Sequence, residues 1–120
     1  MTLQEREARA CAIIDSMAQE LRAVSLYLHD NPELGLNEHK AVKAIHQFLE
    51  KQNFISQVGL TDIRELQTAL RADYRGNAKY KIAFLGEYDA LPELGHGCGH
   101  NLIAMMSLGA AVAFSQSAPQ

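Results

Sequence analysis

The amino-acid sequence predicts an α/β fold on three observations. Two helix-periodic segments open the chain, segments rich in β-branched and apolar residues follow, and a glycine-rich loop then runs into a last apolar helix. Elements in that order suit layers of helix on sheet around one core. The length of 120 residues falls within the usual size of one domain, so residues 1–120 are read as a single unit.

The first element is one long amphipathic helix over about 2–30. Ala10, Ile14, Met17, Leu21, Val24 and Leu28 recur at alternating spacings of four and three, which keeps them on one face. Asn31-Pro32 ends it, because the residue before proline is pushed out of the helical region. Gly35 then allows a turn, and Asn37 can cap a second helix over about 38–52. Its stripe is Ala41, Ala44, Ile45, Phe48 and Leu49.

Past Asn53 the pattern changes to strands, at about 54–58, 66–74 and 79–85. Gly59 is read as a turn, and Arg75-Gly76-Asn77 joins the last two strands. Ile82-Ala83-Phe84-Leu85 is a continuous apolar run, as expected of an interior strand covered on both faces. A loop over 86–99 leads into a helix over about 101–116 that is apolar nearly all round and is therefore expected to be buried. Such a helix needs cover on every side, so the sheet and core are expected to continue past Gln120. A sheet with an unpaired edge tends to associate, which makes a homo-oligomer an open expectation.

Composition narrows the function. The apolar fraction of 48% and charged fraction of 21% are ordinary for a globular protein. A net charge of −3 supplies no basic field for nucleic acid or an anionic membrane. The longest apolar stretch, residues 102–114, is too short to span a bilayer. Cys11 and Cys98 do not make a disulfide scaffold and the first residues are polar, so a reducing, cytoplasmic setting is expected.

Chemistry concentrates in one segment. Four of the eight glycines lie between Gly86 and Gly99, together with Glu87, Asp89, Glu93, His96, Cys98, His100 and Asn101. Glycine serves where a backbone turns tightly, and ligands in open α/β sheets bind at the carboxyl ends of strands. With Gly99 between them, Cys98 and His100 can converge on one ion, and thiolate and imidazole both suit zinc and its neighbours. Asp89 is placed to accept the other ring N–H of a ligating histidine and so fix its tautomer. The plainer reading of Cys98 is a buried structural thiol, and that of His100 a helix-capping or core histidine. His29, His39 and His46 are read as structural or solvent-facing, and Glu33 and Glu38 as helix-terminus charges.

The string GEYDALPELGHGCGHN resembles the metal-binding signature of the aminoacylase and carboxypeptidase family of dinuclear-metal hydrolases. The likeness is greatest to its amidohydrolase branch, with hippurate, indole-acetyl-amino-acid and p-aminobenzoyl-glutamate hydrolases. LHDNPELGLNEHK and LQTALRADYRG resemble other motifs of that branch, in the expected order, so the likeness runs from about Leu21 to Gly109. The resemblance implies the N-terminal part of a mixed-sheet catalytic domain with helices on both faces, incomplete as it stands. It implies Cys98 and His100 as metal ligands and Asp89 as the residue that orients the site, with His96 in a supporting role. It also implies two divalent ions, zinc or manganese, in a complete site, and a small-molecule amide substrate. The general-base glutamate and remaining ligands of the family come after the segment present, so this chain alone is expected to be inactive. Asn101 stands where many members have Asp, and Tyr88 where many have Met, as in the sub-branch cleaving p-aminobenzoyl-glutamate or β-alanyl dipeptides. Two alternatives stay open: a non-catalytic remnant, and an anion- or nucleotide-binding domain with residues 95–99 cradling a phosphate.

Overall fold

The computed structural model describes residues 1–61, 65–74 and 79–117. The expected first helix is two helices, α1 (Leu3–Ser16) and α2 (Ala18–Asp30), with Met17 between them at φ −100° and ψ 2°. The Ser16 hydroxyl donates to the Ile13 carbonyl at 2.6 Å, a back-bond of the kind that competes with the helix ladder and bends it. Thr2 starts α1 with a reciprocal cap: the Glu5 N–H donates to Thr2 Oγ1 and the Thr2 N–H donates to Glu5 Oε2. The stripe survives only in its second half. Met17 and Leu28 are buried and Leu21 and Val24 pack on the core, but Ile14 is exposed and α1 buries no residue.

Asn37 does not cap the next helix, α3 (His39–Lys51). The Glu33 carboxylate does, accepting from the Lys40 N–H at 3.0 Å and the Ala41 N–H at 2.8 Å. One carboxylate satisfies two orphan donors and places a full negative charge at the positive helix end, which an asparagine amide cannot do. The amphipathic face of α3 then packs as expected. Ala41, Ile45, Phe48 and Leu49 join Leu28 of α2 in the core, and Val42 is buried beside them.

Strands β1 (Ile55–Leu60) and β2 (Leu66–Asp73) pair antiparallel, Ile55 opposite Asp73 and Val58 opposite Leu70. Gly59 is not a turn. It lies inside β1 at φ +84°, where the register shifts between Val58 and Leu60, a bulge that needs glycine's left-handed backbone. His46 ties α3 to β1, its Nδ1 on the Ser56 hydroxyl and its Nε2 3.2 Å from Glu50.

The third expected strand, 79–85, does not form. β2 pairs with β1, the joining Arg75-Gly76-Asn77 lies outside the described residues, and Ile82 and Leu85 are 63% and 87% exposed. An apolar run becomes an interior strand only when neighbours supply a ladder and cover, and among the described residues none does. The run instead crosses the last helix, α4 (His100–Ser117): the Phe84 and Phe114 rings sit 5.9 Å apart, and the Ser107 hydroxyl donates to the Leu85 carbonyl.

Helix α4 is not buried all round. Ala104, Met105, Gly109, Val112 and Ala113 face the core, where α1 and α2 pack on the helix, while Leu102 and Met106 stand exposed. The α/β class holds, with four helices and one antiparallel strand pair among the described residues.

Because Glu33 closes the end of α3, Glu33→Ala is expected to lower stability by about 1 kcal/mol, and Glu33→Gln by less. Urea unfolding followed by circular dichroism measures both, and an unchanged midpoint in Glu33→Ala would contradict the cap.

Candidate active site around His100

The loop that delivers the site is fixed at both ends. At its start the Ala90 N–H donates to the Glu33 carbonyl at 2.7 Å, and Leu91 and Gly95 exchange hydrogen bonds of 2.8 and 3.2 Å. At its end Gly99 sits at φ +85°, its N–H on the His96 carbonyl and its own carbonyl accepting from the N–H groups of Leu102 and Ile103. That left-handed conformation turns the chain between Cys98 and His100 and starts α4, which is the bend expected of this glycine.

His100 is held from two sides. Its Nδ1 lies 2.7 Å from Asp89 Oδ1 and 3.0 Å from the Asp89 carbonyl, and its Nε2 lies 3.1 Å from Glu87 Oε2. Two acceptors on Nδ1 require that nitrogen to carry a proton, which leaves Nε2 as the nitrogen that can offer an electron pair. Nε2 faces another carboxylate. Both contacts are satisfied together only by a second proton or by a cation taking its place. The donor chemistry therefore fits a metal ion at Nε2, although among the described residues no three His, Cys, Asp or Glu side chains converge to hold one.

Glu87 is a site residue that the motif spacing does not single out. Its signal is parity with Asp89: side chains alternate along an extended segment, so positions 87 and 89 share a side. Tyr88, between them, points the other way. Its hydroxyl donates to the Thr68 carbonyl of β2, and burial, with the Glu38 charge behind it, pushes its pKa up to about 12. A cleft of about 220 Å³ runs between β2 and this segment, lined by Leu36, Glu38, Thr68, Glu87, Tyr88 and Asp89.

Cys98 is free and exposed, which removes the buried structural thiol as its explanation. His96 is buried, and its Nδ1 has no hydrogen-bond partner among the described residues. Burial, then the nearby charges of His29 and His100, hold its pKa below the ordinary value. Asn101 is buried and donates through Nδ2 to Ser25 Oγ at 3.2 Å. It fastens α4 to α2, and its second contact, to the Ser25 carbonyl at 3.4 Å, requires an N–H donor that an ionised aspartate lacks. Glu87 and Asp89 beside the start of α4 oppose a phosphate there, so the anion-binding alternative loses its electrostatic basis.

The low His96 value carries a sign. The unfolded chain takes up a proton near 6.5 before the folded chain does, so stability is full above that pH and declines as pH falls through the folded value. His96→Gln is expected to flatten this acid-side decline in thermal melts across a pH series. Parallel curves for the two proteins would contradict it.

No protein-family model matches the chain. Individual relatives do. The chain is 38% identical over 116 residues to the Xaa-Arg dipeptidase of Mus musculus, an alignment covering 92% of this chain and 27% of that protein. It is 33% identical over 120 residues to the N-acetyldiaminopimelate deacetylase of Oenococcus oeni, covering 85% and 30%. To one polypeptide of the p-aminobenzoyl-glutamate hydrolase of Escherichia coli it is 29% identical over 117 residues, covering 83% and 24%. The chain thus spans about a quarter to a third of the length of these curated relatives. The chain belongs to the aminoacylase and carboxypeptidase family of peptidases and amidohydrolases, corresponding to the N-terminal part of its members.

Proposed function

We propose that the protein to which this chain belongs is a metal-dependent hydrolase of an amide bond in an N-acyl amino acid, a dipeptide or a p-aminobenzoyl-glutamate-like substrate. The single observation that carries the reading is the clamped imidazole. Asp89 holds the Nδ1 proton of His100 at 2.7 Å, which aims the opposite nitrogen outward two residues from an exposed thiol. The relatives support the reaction class. Their names give a dipeptide, an acetylated diamino acid and an aminobenzoyl-glutamate as the things acted on, and each holds an amide bond to an amino acid.

In this reading Cys98 and Nε2 of His100 are metal ligands, zinc or manganese being the candidate ions, and two ions complete the site. A bound ion of that kind lowers the pKa of its water toward about 7 and polarises the scissile carbonyl. The chain's own residues supply orientation. Asp89 keeps His100 in the ligating tautomer, since an Nδ1–H pinned to a carboxylate cannot migrate to Nε2 without breaking two contacts. Glu87, at 3.1 Å from Nε2 and 69% exposed, is free to swing away from an ion or to join it. The cleft beside Tyr88 lies next to these groups and is acidic, which suits the amine end of a dipeptide.

Among the described residues no three His, Cys, Asp or Glu side chains converge on one point, so the isolated chain is expected to bind zinc or manganese weakly and to hydrolyse nothing. Metal content after purification without chelator, with competitive titration against a fluorescent zinc chelator, tests the first part. Loss of the weak binding in Cys98→Ser/His100→Ala supports the assignment, and binding unaffected by that double substitution overturns it. Dipeptides and acylated amino acids test the second. Sustained turnover by the 120-residue chain would contradict an incomplete site.

A further inference from the structure

Both carboxylates of the His100 clamp sit on a segment with no ladder of its own. Among the described residues, no main-chain group of residues 86–89 bonds to another main-chain group. Side chains must therefore fix how this segment is turned about its axis.

The segment is seated at three points. The Ser107 hydroxyl donates to the Leu85 carbonyl. Next to it, a Cβ added at Gly86 would lie 3.0 Å from Ser107 Oγ, a close approach that suits glycine. At the far end the Ala90 N–H donates to the Glu33 carbonyl at 2.7 Å. Between them the Tyr88 hydroxyl donates to the Thr68 carbonyl of β2, and the Tyr88 ring packs on the core. Along an extended segment neighbours point to opposite sides. A ring fixed on β2 at position 88 thus turns Glu87 and Asp89 the other way, where they reach His100 at 3.1 and 2.7 Å.

The point on which Tyr88 rests is itself braced. Thr68 is 4% exposed, and its hydroxyl donates to Glu38 Oε2. The other oxygen of that buried carboxylate accepts from the Leu36 N–H at 2.8 Å. Leu36 lies at φ +73°, a left-handed conformation uncommon for a residue with a side chain. Glu38 thereby ties the turn before α3 to the residue of β2 that receives the phenol. Burial pushes the Tyr88 pKa up to about 12, so the proton needed for this contact is kept throughout the neutral range.

We propose that Tyr88 is a positioning residue of the His100 site, seated on β2 through the buried pair Thr68 and Glu38, and that it turns residues 87–89 so that both carboxylates meet the imidazole. The inference rests on the hydrolase reading for its consequence, that the outward nitrogen of His100 stays available to a ligand.

Long-range proton–nitrogen correlation spectra of the metal-free 120-residue chain test it. Tyr88→Phe keeps the ring and removes the donor. The ratio of Nδ1–H to Nε2–H forms of neutral His100 is expected to fall about fivefold, a change that one ordinary net hydrogen bond can produce. Thr68→Val leaves the carbonyl in place and strips the brace, and is expected to shift the ratio in the same direction. Two controls separate this seat from general stability. Tyr80→Phe alters a ring that is 77% exposed and is expected to change nothing. Phe48→Leu loosens the core and is expected to lower the melting temperature while leaving the ratio unmoved. An unchanged ratio in Tyr88→Phe or Thr68→Val overturns the proposal, and so does an equal fall in either control. Because the spectra are taken without metal, zinc binding in Cys98→Ser/His100→Ala decides the hydrolase reading separately.

Discussion

The contact between the Asp89 carboxylate and Nδ1 of His100, at 2.7 Å, is the constraint on which the site depends. It joins the end of the apolar run at 79–89 to the first residue of α4, across eleven positions of glycine-rich loop. Without it that loop would lose its side-chain tie to the start of α4. With it, one imidazole has a defined tautomer and a defined outward nitrogen. The same residue that caps α3 also anchors the loop, since Glu33 gives its carboxylate to α3 and its carbonyl to Ala90. Helix, loop and site are thus fastened at a common point.

Much of this is legible in the sequence, and what is not has physical causes. The stripe of α3 and the strands β1 and β2 can be read because periodicity reports burial directly. The turn at Gly99 can be read because glycine marks a sharp bend where a loop enters a helix, and the observed φ of +85° is left-handed. The break at Met17 cannot be read, because the apolar spacing runs on through it while its backbone leaves the helical region at ψ 2°. Glu33 can be read as a helix-terminus charge and is one, but the bonds that make it the cap of α3 reach from seven and eight positions upstream, outside the local cap pattern.

The strand expected at 79–85 and the burial expected of the last helix fail in a more instructive way. Apolar sequence states what a segment requires, not what surrounds it. Ile82, Leu85, Leu102 and Met106 have the composition of an interior and the exposure of a surface. The chain spans about a quarter of the length of its dipeptidase relative. The exposed apolar residues and the imidazole clamp lie close together, where residues 84–87 meet α4 and His100 begins it.

The central claim is the tautomer of His100, and long-range proton–nitrogen correlation spectra of its imidazole report it directly. In the neutral ring the proton is predicted to reside on Nδ1, and Asp89→Ala to move the population toward the Nε2–H form. A neutral His100 that carries its proton on Nε2 in the unaltered chain would contradict the account.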